Sequence, residues 1–71
     1  MAQPHQMLGK NVARFRYRAG LTQENFAEKA DISLRYLQSI EAGRQQPRVN
    51  VLVKIQKALG ISWDELFLGI S

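Results

Sequence analysis

Residues 22–43 read TQENFAEKADISLRYLQSIEAG. In a helical register Phe26, Ala27 and Ala30 share one face, and in the next segment Leu37 and Ile40 do the same. Thr22 and Ser33 stand where each helix needs a side-chain oxygen to accept from a free backbone N–H. Asp31 interrupts the two registers, and aspartate tolerates a left-handed backbone better than most residues. Gly43 closes the stretch as a helix stop. The pattern therefore predicts two short amphipathic helices joined by a tight turn, meeting through Phe26, Ala27 and Ala30 on one side and Ile32, Leu37 and Ile40 on the other. Ala27 is small because the two axes must cross closely there.

The flanking segments extend the same pattern. From Met7 to Ala19, Leu8, Val12, Phe15 and Ala19 recur at i, i+4, i+7 and i+11, which is a helical stripe ended by Gly20. Pro47 disfavours helix in the residue before it, so residues 44–48 read as a loop. A further helix runs from about Val49 to Leu59 with Leu52, Ile55 and Leu59 as its stripe and Gly60 as its stop. Ser62 and Glu65 have the spacing of a capping box, opening a short last helix with Trp63, Leu66 and Phe67. Residues 1–6 lack periodicity and contain Pro4, so a flexible N-terminal arm is expected, followed by one domain over 7–71. No segment alternates apolar and polar residues as a strand does. The expected class is all-α, with five helices in one compact domain.

Composition narrows the function. The chain has 71 residues and no cysteine, which excludes disulfide frameworks and thiolate zinc sites. It has no apolar run near the ~18–20 residues of a membrane span and no signal-peptide core at its start, so a cytoplasmic protein without a membrane partner is expected. The net charge is +4 and the pI near 10.0. Eight of the ten basic residues precede residue 50, whereas the segment after Gly60 carries only Asp64 and Glu65 as charges. One end suits an anionic partner and the other suits protein. His5 has no partner at metal or catalytic spacing. With no nucleophile–base pattern, phosphate-cradling glycine loop or carboxylate cluster, neither an enzyme nor a bound metal or cofactor is expected.

Several stretches in this order resemble the phage repressor and Cro-like (XRE) helix-turn-helix family. They are Leu21-Thr22-Gln23-Glu24, Ala27, Ile40-Glu41-Ala42-Gly43, Pro47, Ala58-Leu59-Gly60-Ile61-Ser62 and Asp64-Glu65-Leu66. The match spans roughly residues 8–68. Where the family usually turns on glycine, this chain has Asp31, a mild departure. The resemblance implies a five-helix, lambda-repressor-like DNA-binding domain whose third helix lies in the major groove of double-stranded DNA.

With Leu37 and Ile40 inward, Arg35, Gln38, Ser39 and Ala42 point outward, flanked by Leu34 at the N-terminal end. The expected base readers are therefore Arg35, Gln38, Ser39 and Leu34. A guanidinium pairs bidentately with guanine, a glutamine amide with adenine, and an apolar side chain packs on the thymine methyl. By resemblance Gln23, in the first turn of the second helix, bonds a phosphate. Arg44 and Arg48 reach the backbone from the loop, although such side chains are as often simply solvated. Tyr36 reads first as partial packing and second as a phosphate contact. Lys10, Arg14 and Arg18 recur every four residues and read as a solvated face. The family commonly bridges the positions of Arg16 and Glu41 with a partly buried ion pair that orients two helices.

Trp63, Leu66, Phe67, Leu68 and Ile70 offer more apolar surface than a terminal helix needs. They divide between covering the core and forming a two-fold interface. The expectation is a sequence-specific transcriptional regulator of the repressor or restriction–modification controller type. It would bind a pseudo-palindromic operator as a homodimer and act through its position relative to RNA polymerase. The alternative is a protein-interaction or antitoxin-like module that uses the apolar C-terminal helix.

Overall fold

The computed structural model describes residues 4–70. Among these, the chain forms five helices and no strand: α1 (Pro4–Arg18), α2 (Gln23–Ala30), α3 (Leu34–Glu41), α4 (Val49–Leu59) and α5 (Trp63–Leu66). α1 packs against α3, α4 and α5, while α2 lies across α3 and touches α4. The core is shared by all five helices. Leu8 and Val12 of α1 meet Phe26, Ala27 and Ala30 of α2, Leu37 and Ile40 of α3, Val51 and Ile55 of α4, and Leu66 of α5.

The helix ends follow from local chemistry. The Thr22 hydroxyl accepts from the Asn25 amide at 3.0 Å, and the Ser33 hydroxyl accepts from the Tyr36 amide at 3.0 Å. At the last helix the Ser62 amide donates to Glu65 Oε1 at 3.0 Å, and the Glu65 amide donates to Ser62 Oγ at 3.1 Å, so the capping box is closed. Asp31 adopts φ 58° and ψ 47°, the left-handed turn expected of it. Its carbonyl accepts from Lys54 Nζ at 3.2 Å, which ties the turn between α2 and α3 to α4.

Four expectations need correction. α1 begins at Pro4, so residues 4–6, His5 among them, are helical rather than part of an arm. Proline is tolerated in the first turn because its missing N–H would have no intrahelical partner there. The remainder of that expected arm, residues 1–3, lies outside the described residues. Ala19 lies beyond the end of α1 and is exposed, whereas Asn11, one position before Val12, is buried. In α4 the deepest side chains are Val51 and Ile55, with Leu52 and Leu59 only half-buried. Leu66 has 0% exposure, so it belongs to the core and not to any outer surface.

Two residues the apolar pattern does not single out hold the helices at their spacing. Gly9 lies where α1 crosses the C-terminal end of α3, and a Cβ there would fall on the carbonyl oxygen of Ile40. Asn11 donates from Nδ2 to the carbonyls of Leu66 at 2.9 Å and Leu68 at 2.8 Å. A buried amide thereby satisfies the end of a helix too short to satisfy its own carbonyls.

Candidate nucleic-acid interface

α3 has one face in the core and one in solvent. Leu37 and Ile40 are fully buried, Leu34, Tyr36 and Ser39 are half-buried, and Arg35, Gln38 and Ala42 are exposed. The structure thus brings Arg35 and Gln38 to one open face, as the register requires. Ser39 is less outward than its position on the helical wheel implies. Leu34 leans on the core with part of its surface, and so does Tyr36. The loop after α3 leaves Arg44 and Arg48 exposed on either side of the buried Pro47. Gly43 is buried with φ 75°, and a Cβ there would lie 2.8 Å from Gln6 Cγ, so glycine is needed where the loop leaves α3.

Behind this face lies a polar knot centred on Arg16. Its Nε donates to Glu41 Oε2 at 2.8 Å and its Nη2 to Glu41 Oε1 at 3.0 Å, the two-point geometry of a guanidinium on a carboxylate. Its Nη1 donates to the Leu21 carbonyl at 2.8 Å. Both side chains of the pair are 7% exposed. The hydrogen bond to Glu41 raises the Arg16 pKa above the ordinary arginine value, against burial, which lowers it. One guanidinium therefore joins the end of α1, the loop before α2 and the end of α3. Its charged face also sits 4.6 Å from the centre of the Tyr17 ring.

Gln23 opens α2 beside this knot. Its Nε2 donates to Glu41 Oε1 at 3.1 Å, and its Oε1 accepts from Gln38 Nε2 at 3.5 Å. An open hollow lined by Arg16, Tyr17, Gly20, Leu21, Thr22 and Gln23 lies alongside, between the end of α1 and the start of α2. The arrangement offers hydrogen-bonding groups on a rigid helix and exposed cations in the adjoining loop. Among the described residues no group of His, Asp and Glu is placed to hold a metal ion. No described helix is long and apolar enough to cross a membrane.

A family profile described as helix-turn-helix matches residues 12–66. The chain belongs to the helix-turn-helix family of DNA-binding transcriptional regulators, not to a family of enzymes. A Sinorhizobium fredii protein described as an uncharacterized HTH-type transcriptional regulator, y4dJ, is 43% identical over 60 residues, covering 84% of this chain and 78% of that protein. The immunity repressor protein of Bacillus phage phi105 is 39% identical over 54 residues, 76% of this chain and 38% of the repressor. Among solved structures, the restriction-modification controller protein C.AhdI from Aeromonas hydrophila superposes with a TM-score of 0.83 at 26% identity. That match covers 87% of this chain and 94% of that one.

Set in the helix-turn-helix frame, α2 and α3 form the motif and α5 lies at the far end of the chain. There Trp63 is 41% exposed and Leu68 is 55% exposed, while Phe67 and Ile70 are half-buried against the core. Trp63 stacks on Phe67 with ring centres 5.9 Å apart. The outward apolar surface of this end is therefore carried by Trp63 and Leu68. Three contributors escape the sequence patterns: Gly9, Asn11 and Tyr17. Gly9 left a trace, since glycine inside a helix costs up to ~1 kcal/mol and its presence there signals a close approach. Asn11 sits on the Leu8–Val12 stripe, where a polar residue flags a buried hydrogen bond. Tyr17 left none.

Proposed function

We propose that this protein binds double-stranded DNA by seating α3 in the major groove, and that it does so as a homodimer on a pseudo-palindromic operator. The observation that carries this reading is the division of α3. Leu37 and Ile40 and the Arg16–Glu41 pair fix the helix from behind, leaving Arg35 and Gln38 exposed on its far side. Arg35 pairs with guanine and Gln38 with adenine, while Leu34 presents its uncovered edge to a thymine methyl and Ser39 makes a short secondary contact. Gln23, Arg44 and Arg48 hold phosphates, and Tyr36 adds a further phosphate contact from the flank of α3. Trp63 and Leu68, with the outer edges of Phe67 and Ile70, form the contact between copies. Leu66 has no part in it, because it is enclosed in the core. Regulation is of the repressor or restriction–modification controller type. It acts in the cytoplasm of a bacterial or phage-infected cell, through where the dimer sits relative to RNA polymerase.

Selection from a pool of random duplexes, followed by binding measurements across salt, tests the reading. A two-fold consensus whose affinity falls steeply with salt is expected. Equal binding to all sequences at every salt concentration would sink it. The exposed Trp63 and Leu68 also suit a second reading, a module that grips a different protein. A chain that stays monomeric and selects no sequence would favour that alternative.

A further inference from the structure

We infer that Asn11 is a positioning residue for the operator-bound dimer. Its buried amide fixes the Trp63–Ile70 end of the chain on α1, and so sets the distance and angle at which two copies of α3 meet DNA. The inference rests on α3 being the base-reading helix and on that end being the contact between copies. α1 stands between these two surfaces. On its side toward α3, Gly9 lies so close to the Ile40 carbonyl that a Cβ would fall on the oxygen. Arg16 holds Glu41 on the same side by two hydrogen bonds, at 2.8 and 3.0 Å. Gly9 and Arg16 are two helical turns apart, and Asn11 lies about 140–160° around the helix from them. There its Nδ2 donates to the Leu66 carbonyl at 2.9 Å and to the Leu68 carbonyl at 2.8 Å.

Apolar packing alone gives this end of the chain little direction. α5 has four residues, and Leu66 is its one buried side chain. Burial of apolar surface resists separation but is non-directional, so it tolerates sliding. Met7 also meets the tail, since a Cβ on Gly69 would lie 3.0 Å from Met7 Cε, yet an unbranched thioether adapts to its neighbour's position. Within the tail, the carbonyls of Trp63, Glu65 and Phe67 accept from the amides of Phe67, Leu68 and Ile70. The carbonyls of Leu66 and Leu68 are taken by Asn11 instead. Asn11 is 1% exposed, so solvent does not compete for these bonds. One planar amide bound to two carbonyls fixes orientation as well as distance. Leu68, with its side chain turned outward, is thereby held at its own carbonyl, and α1 carries that placement across to α3 as a rigid spacer.

The test uses the full chain and operator duplexes whose half-sites are moved apart or together by single base pairs. Each step is ~3.4 Å and about 34–36° of rotation, so a rigid dimer should strongly prefer one spacing. Asn11→Leu keeps the side-chain volume and removes both donors. It should bind an isolated half-site as wild type does, yet lose roughly tenfold on the preferred spacing, the range of one or two net hydrogen bonds. Its preference among adjacent spacings should flatten accordingly. Asn11→Ala leaves room for a water to serve the two carbonyls, and should flatten the profile in the same direction. It carries the test if the leucine variant does not fold. Val51→Ala, a truncation of the core on α4, is the control for lost stability and should keep the wild-type profile. In the free protein, Asn11→Ala should quicken amide exchange at Leu68 and Ile70 by a larger factor than at Leu37 and Ile40. Equal factors at all four amides would overturn the inference without reference to DNA. An unchanged spacing profile in both Asn11 variants would overturn it too, as would a Val51→Ala profile that flattens equally. A wild-type protein with no preferred spacing gives a different failure, because it removes the dimer reading along with the inference.

Discussion

At the scale of single residues, exposure and backbone conformation decide what each substitution does. Arg35 is exposed on the outer face of α3, so removing it leaves the core intact. Arg35→Ala is expected to cost about 1–3 kcal/mol of operator binding and to relax preference at one base pair per half-site, with an unchanged thermal midpoint. Titration of a panel of singly substituted operators checks this. An unaltered preference would leave Arg35 as a phosphate contact only. Gly9 poses an opposite problem. Alanine is the better helix former by up to ~1 kcal/mol. A Cβ there, however, would fall on the Ile40 carbonyl oxygen, which is backbone and cannot rotate away. Crowding of this kind costs typically about 1–3 kcal/mol, so Gly9→Ala should destabilise the fold in urea despite its helix propensity. Asp31 was legible as a turn residue and Gly9 was not, although both are constrained by backbone. A break in apolar periodicity shows in the sequence, whereas a close approach between distant segments leaves only the anomaly of a glycine inside a helix.

At the scale of elements, the helices are placed by a few polar contacts as well as by the shared apolar core. The Arg16–Glu41 pair is buried and hydrogen-bonded at both ends, and Glu41 also accepts from Gln23. Removing one partner strands the other charge, which typically costs about 3–5 kcal/mol. Arg16→Met should therefore lower stability by about that amount, and Arg16→Met combined with Glu41→Leu should recover part of it. Chemical denaturation of the two variants distinguishes this from simple loss of attraction, in which the double variant would be no better than the single one. The sign with pH is fixed by the direction of the shift. A pKa raised in the folded state means that the contribution of Arg16 is complete below the ordinary arginine range and fades only as pH climbs beyond it. Stability from this group is accordingly flat through neutral pH. The five helices and their caps were legible because periodicity and capping are local signals. The extension of the Glu41 contact to Gln23 and Gln38 was not, since Gln23 and Gln38 are fifteen positions apart and meet only once α2 crosses α3.

At the scale of the whole molecule, one chain offers one reading helix, and a two-fold operator needs two. Such an operator requires the two copies of α3 about one turn of DNA apart, ~34 Å, and the proposed isologous contact through Trp63 and Leu68 is the one that would have to hold them there. Sequence alone offered Trp63, Leu66, Phe67, Leu68 and Ile70 together as interface candidates, without separating those that cover the core. Burial makes the assignment sharper, because Leu66 is enclosed while Leu68 is 55% exposed. Leu68 is also the cleaner probe than Phe67, which packs in part on the core. Leu68→Asp should leave the monomer fold intact, since the Asn11 contact at this position uses the backbone carbonyl and not the side chain. Two carboxylates brought together at a two-fold axis, each losing solvent, should shift the protein to monomer in sedimentation. Binding of the second half-site then no longer benefits from being tethered to the first, and affinity for the full operator should fall by about 10²-fold or more. Affinity for an isolated half-site should not change. The salt dependence supplies an independent check. Its slope scales with the number of phosphates neutralised, by roughly 0.9 for each, so a bound monomer should show about half the slope of the dimer. A Leu68→Asp protein that sediments as a dimer and keeps the full slope would move the interface to another face of the molecule. One that is monomeric yet keeps full operator affinity would mean that DNA, not α5, brings the two copies together.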